Sequence, residues 1–170
     1  MATTYVAIAT VTVGSGGTTA MTFSSIPQTY TDLLLKVSGR CSDAAYSNIA
    51  LKFNSSTSGY SQRLLEGNGS TARSVGTIFT SSMWVSTLNS AGQTSNTFGN
   101  VEIYIPNYTG SNQKSISVDA VTETNATTAY AQLSAGLHTG TSAITQIDVT
   151  GDGSTFVQYS TATLYGIKNS

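Results

Sequence analysis

One cysteine, one histidine, one tryptophan and two prolines occur among the 170 residues of this chain. With Cys41 alone an internal disulfide is impossible, which excludes a disulfide-stapled secreted scaffold. No Cys-His arrangement surrounds Cys41, so it reads as a loop or strand-end thiol rather than a nucleophile. One Cys and one His are too few for a zinc site, which draws on several such ligands. Charge is equally scarce: seven basic and eight acidic residues, a net charge of −1 and a charged fraction of 9%. These charges are scattered singly. No Lys/Arg stripe exists, so the footprint of a nucleic-acid binder is missing. No apolar run approaches the roughly 20 residues of a membrane-spanning helix, and no membrane partner is expected. The opening Met1-Ala-Thr-Thr-Tyr-Val has neither a basic n-region nor a long apolar core and does not read as a signal peptide. Synthesis in a cytoplasm is expected, and the triplets at Asn54, Asn107 and Asn125 then say little about glycosylation. The chain also contains no Gly-x-Ser-x-Gly elbow, phosphate loop or His-Glu-x-x-His segment.

Hydroxyls stand where charge is missing. Ser and Thr make up roughly three residues in ten, and Thr suits a pleated, half-exposed surface. Apolar content is 39%. So low a charge argues against ordinary disorder, which combines high net charge with few apolar residues. Sparse charge near neutrality also protects a free monomer poorly against association, so a place inside an assembly, as a homo-oligomer, is expected.

The dominant pattern is alternation with period two. Ile116, Val118 and Ala120 share one face, and Ser115, Ser117 and Asp119 share the other. Downstream, Ala129, Ala131, Leu133 and Ala135 oppose Tyr130, Gln132 and Ser134. Successive side chains on a strand point to opposite sides, so each segment is expected to pack its apolar face and wet its polar one. Further strand signals lie near 5–13, 21–23, 31–39, 49–53, 60–66, 75–79, 83–88, 97–105, 144–149 and 155–168. Turn residues separate them, and no amphipathic helix intervenes. This spacing predicts an all-β fold, an antiparallel β-sandwich of jelly-roll-like topology with about 8–10 strands, forming one domain over 1–170.

Candidate sites are few. His138 lies beside Gly140 at an apparent strand end, where a solvated or capping role is expected. The carboxylates Asp32, Asp43, Glu66, Glu102, Asp119, Glu123, Asp148 and Asp152 could supply a hydrolase pair, yet no spacing brings two together. Asp148 and Asp152 bracket a short turn that could hold calcium, but an Asp-Gly turn explains the same residues. No catalytic residue, cofactor or metal is therefore assigned. The aromatics remain. Tyr46, Tyr60, Trp84, Tyr104 and Tyr108 fall at loops or on apparently outward strand positions and are the candidate partner-binding residues, since Tyr and Trp are favoured where a surface becomes buried. Cross-strand pairing on a sheet surface accounts for them equally well.

The segment Thr22-Phe-Ser-Ser-Ile-Pro-Gln-Thr-Tyr-Thr-Asp-Leu-Leu-Leu35 resembles one recurrent in small β-sandwich virion proteins of tailed bacteriophages. Leu51-Lys-Phe-Asn54, Tyr60-Ser-Gln-Arg63 and Leu164-Tyr-Gly-Ile-Lys168 resemble the same pattern in the same order. These motifs mark a fold rather than an active site, and 75–96 matches nothing in it. The resemblance implies a non-enzymatic virion structural protein, assembled in the host cytoplasm. It would be either a capsid cement or decoration protein that binds the major capsid shell or other virion subunits, or a tail or fibre module that binds host-surface carbohydrate.

Overall fold

The computed structural model describes residues 4–79, 81–125 and 129–168. The first three residues of the opening segment, and positions 126–127 of the Asn125 triplet and of the turn expected at 123–127, lie outside the described residues. Every described element is a strand. In chain order they are β1 (Thr4–Thr12), β2 (Ala20–Phe23), β3 (Asp32–Cys41), β4 (Ser47–Phe53), β5 (Tyr60–Gly67), β6 (Ala72–Phe79), β7 (Met83–Ser90), β8 (Gly99–Ile105), β9 (Lys114–Thr122), β10 (Tyr130–His138), β11 (Ile147–Gly151) and β12 (Thr161–Lys168).

The pairings are nested. β1 pairs with β12, β2 with β11, β3 with β8 and β4 with β7, all antiparallel. β12 also pairs with β3, and β11 with β4. A long hairpin rolled on itself produces this arrangement, with β1-β12-β3-β8 as one sheet and β2-β11-β4-β7 as the other. It is the jelly-roll topology, and it confirms the all-β sandwich read from the sequence. Among the described residues the strand count is twelve rather than about 8–10, because two hairpins are inserted. β5–β6 lies between β4 and β7, and β9–β10 between β8 and β11. Both join the first sheet, extending it to β1-β12-β3-β8-β9-β10-β5-β6. A two-residue parallel seam, Arg40 with Asn89 and Cys41 with Ser90, ties β3 to β7.

The core lies between the sheets. Leu33, Leu35, Val37, Val101, Ile103, Ile116, Val118 and Leu164 meet Met21, Phe23, Ile49, Leu51, Phe53, Val85, Ile147 and Val149, and all are buried. On β9 the expected apolar face packs inward. β7 crosses close over the extended sheet: a Cβ at Gly136 would meet the Met83 sulfur and Ile116, so a larger residue on β10 there would push those side chains aside.

The last strand signal splits. Thr161–Lys168 is strand, but 155–160 is not. Phe156 is fully buried and bridges Thr18 and Cys41, and Tyr159 turns the chain with φ of 72°. Loop 91–98 is fixed by Arg40, whose guanidinium donates to the carbonyls of Gln93, Thr94 and Thr97 at 2.9–3.1 Å.

Candidate functional site

The five candidate aromatics do not form one surface. Tyr60 and Tyr108 are buried, at 1% and 0% exposure, which corrects their outward placement. The reason is that each phenol finds polar partners inside. Tyr60 accepts the Phe53 N–H at 2.9 Å and donates to the Ser56 carbonyl, while Tyr108 donates to the Pro27 carbonyl. A satisfied hydroxyl lets a tyrosine behave as a core residue, and burial raises both phenol pKa values. Tyr46 is half-buried and packs edge-on against Tyr130 at 5.0 Å. Trp84 is half-buried beside the bulge where β7 meets β4, and its indole N–H donates to the Ser86 carbonyl at 2.7 Å. Trp84 pairs with Ala50 on the outer side of the small sheet. Tyr104 projects from the outer side of the large sheet, on the opposite side of the sandwich.

Tyr104 does belong to a surface. Its hydroxyl donates to Asp32 at 2.9 Å, and desolvation followed by that carboxylate raises its pKa. It pairs across the sheet with Leu34, which pairs in turn with Tyr165. Tyr5, 58% exposed, stands beside them and helps line a shallow depression with Leu34 and Tyr165. Lys36 and Glu102 close its rim with a 2.7 Å ion pair, which raises the lysine pKa.

A second apolar zone lies further along the same outer face, on the inserted hairpins, where the polarity expected of β10 is reversed. On β10 the alternation is real, but Gln132 and Ser134 face the interior and Leu133 is 54% exposed. Leu133 pairs with Leu65 of β5, itself 55% exposed. Val121 and Ala131 pair nearby, and Ile78 of β6 is 79% exposed. The inward face holds Gln62, Glu66, Lys114, Gln132, Ser134 and His138, all buried. Hydrogen bonding explains the inversion. The Gln132 amide oxygen accepts from Ser86 Oγ at 3.1 Å and from the Thr87 N–H at 2.9 Å, and its nitrogen donates to Glu66 and to Thr87 Oγ1. Glu66 also takes Arg73 at 2.7 Å. Alternation shows that a strand has two faces. Partners on β7, invisible in the sequence of β10, decide which face is buried.

His138 is not solvated as expected. It is 8% exposed, stacks on Tyr60 at 4.4 Å and meets Phe53 edge-on. Its Nε2 lies 3.3 Å from Ser56 Oγ. Burial lowers its pKa despite a hydrogen bond to the Ser58 backbone, and Lys114 adds to the lowering. Lys114 is itself buried, its pKa lowered by desolvation, with its ammonium donating to the carbonyls of Gly110 and Asn112 and, at 3.4 Å, of Thr141. The ring of His138 backs an open polar cleft with Asn54, Ser56, Ser58, Thr139 and Ser142.

Most carboxylates are engaged. Asp32, Asp43, Glu66, Glu102, Glu123 and Asp148 each accept a hydrogen bond or an ion pair. Asp148 is held by Thr22 and Gln146. Among the described residues no three His, Cys, Asp or Glu side chains cluster as a metal site would require. Cys41 ends β3, fully buried, and desolvation pushes its thiol up to about 11, which suppresses thiolate chemistry.

No family model, curated protein or solved structure matches this chain.

Proposed function

We propose that the chain is a non-enzymatic structural protein of a tailed-phage virion, a cement or decoration protein that binds the assembled major capsid shell. The observation that carries this reading is the apolar outer face of the inserted hairpins at β5, β6 and β10. Leucines and an isoleucine point to solvent while glutamines, a glutamate and a lysine are buried. Apolar surface of this kind on a rigid sheet marks a place for a partner. The resemblance of the 22–35 and 164–168 segments to virion proteins says which kind. Sparse charge and engaged carboxylates favour docking over chemistry.

The mechanism is mass action. A protein that binds the assembled shell and not its free subunits stabilises the shell by the free energy of that binding. Purified protein is expected to add to expanded shells of the encoding phage that lack it, and to raise their melting temperature in calorimetry. Failure to bind any form of the shell would discard the proposal.

One observation favours a second reading, a tail or fibre module for host-surface carbohydrate. The cleft at His138 gathers hydroxyls and an amide beside an aromatic stack. Trp84 fits that role less well, because its indole donor is already used within the strand. A glycan array separates the two readings: specific signal lost on Ser142→Trp would favour carbohydrate.

A further inference from the structure

The two sheets leave outer edges at β1, β2 and β6. β7, at the remaining side of the small sheet, is tied to β3 by the parallel seam. An open edge offers a row of N–H and C=O groups to any incoming strand, and proteins blunt such edges with bulges, short strands or charge. β2 is only four residues long. β1 carries a bulge between Ala7 and Ala9. β6 has neither device. Its eight residues pair with β5 in unbroken register, it contains no proline or lysine, and its one charge, Arg73, is held by Glu66. The turn that presents it is well fixed, with Gly69 at φ of 87° and Asn68 Oδ1 accepting the Ser70 and Thr71 N–H groups at 3.1 and 2.8 Å.

Ile78, the most exposed large apolar side chain described, projects from one end of this strand on the outer face. At the other end of the same face, Ala72, Leu65, Ala131 and Leu133 line a shallow apolar trough. We propose that β6 is a self-association edge. A second copy of the chain pairs with it antiparallel about a two-fold axis perpendicular to the sheet, and Ile78 of each copy seats at the Ala72 end of the other's trough.

Parity limits the axis to a residue position, and the contact of Ile78 with Ala72 selects Val75. The outer faces of the two copies stay continuous only if residues from the same face stand opposite each other. Centring the axis on Val75 sets Val75 against its counterpart, Ser74 against Gly76, and Ala72 against Ile78. One two-fold then makes the Ile78 contact twice, as an isologous interface requires. Electrostatics permit it. In this register the two Arg73 residues stand four positions apart along the strands, about 13 Å, which exceeds a Debye length of about 8 Å. Net charge of −1 per copy adds little repulsion. Strand addition of this type draws affinity from main-chain hydrogen bonds and specificity from alternate side chains.

A single eight-residue edge falls in the interface class below about 1,200 Å², so association in the micromolar range is expected. Sedimentation velocity of the purified chain over a concentration series tests it without any shell, so its outcome is independent of the virion reading. The expected result is a monomer–dimer equilibrium weakened at least tenfold by Ile78→Lys, with the far-UV spectrum unchanged. Combining Ile78→Lys with Ala72→Glu in one chain should restore the dimer, because the two new charges face each other in this register. Ser74→Lys, also on the exposed face, should weaken association and serves if Ile78→Lys disturbs the spectrum. A monomer at every concentration, a dimer indifferent to the single variants, or a double variant that fails to regain association would overturn the proposal.

Discussion

The jelly-roll kernel and the inserted hairpins are parts of one sandwich with different interiors. In the kernel, Leu33, Leu35, Ile49, Leu51, Phe53 and Leu164 fill the space between the sheets. In the extension, the gap under β7 mixes Leu64, Ile116 and Val118 with the polar Gln62, Glu66, Gln132 and Ser134, while Leu65 and Leu133 point outward. The kernel is held mainly by burying apolar area, which is non-directional and scales with the area removed from water. The extension leans on hydrogen bonds, whose worth depends on every partner being present. The kernel thus makes the fold, while the extension gives up part of its apolar interior and gains an apolar exterior. The net effect is a sheet with an apolar face left to cover.

The largest expected effect comes from cutting the kernel. Leu164 is fully buried between the sheets, and Leu164→Ala removes its packing and leaves a cavity, at a cost of about 2–5 kcal/mol. Urea denaturation should show a reduced midpoint at unchanged slope. If the loss matched that of an alanine at exposed Leu133, the two regions would not differ in the way argued.

The next test uses one substitution at two neighbouring positions. Gln132 joins Glu66 to Ser86 and Thr87. Gln132→Met strands those groups and should cost about 1–3 kcal/mol. Gln62 is also buried, but neither of its amide atoms has a hydrogen-bond partner among the described residues. Gln62→Met removes an unsatisfied amide while keeping the volume, and should stabilise the fold by about 1 kcal/mol. Opposite signs at the two glutamines, on the adjacent strands β5 and β10, would show that the worth of a buried amide in the extension is set by its partners. The same sign at both would contradict it.

Much of the architecture was legible in the sequence, down to the inward face of β9, while the polarity of β10 was not. The alternation of Ile116, Val118 and Ala120 gave the correct inward face, because an apolar face of that breadth has nowhere else to go. On β10 the competing faces were alanines with one leucine against Gln132 and Ser134, and apolarity alone chose wrongly. The deciding partners, Ser86 and Thr87, lie some 45 residues away. Tyr60 and Tyr108 were misplaced for a related reason: the carbonyls that satisfy their hydroxyls, at Ser56 and Pro27, belong to turns whose geometry the sequence does not display. The number of strands and the absence of helices pointed to a jelly roll. The nested order of pairing came only with the structure.

A smaller effect should appear with pH. His138, under the extension, has a pKa lowered from the ordinary 6.5 by burial and, to a lesser degree, by Lys114. The unfolded chain takes up a proton near 6.5 while the folded chain resists it. Stability is therefore fully present above about pH 6.5 and declines as pH falls from there toward the lower folded-state pKa. His138→Phe keeps an aromatic stack on Tyr60 and should flatten that part of the curve measured by denaturation at pH 7.5, 6.5 and 5.5. An unchanged slope in the variant would assign the pH dependence to other groups.

The smallest expected stability effect is on the outer face, where it separates folding from docking. Leu133 is more than half exposed and opposes Leu65 on a surface with no partner in the isolated chain. Leu133→Ser removes little buried area, so the urea midpoint should stay within about 0.5 kcal/mol of the parent, as for other surface changes. If the outer face is the docking face, the same substitution should weaken binding to shells by at least tenfold, since an apolar anchor at the centre of an interface carries a disproportionate share of its energy. A large loss of stability with binding intact would reverse the division of labour between the two regions. It would mean that the exposed leucines hold the sheet together, and that the partner is met somewhere else.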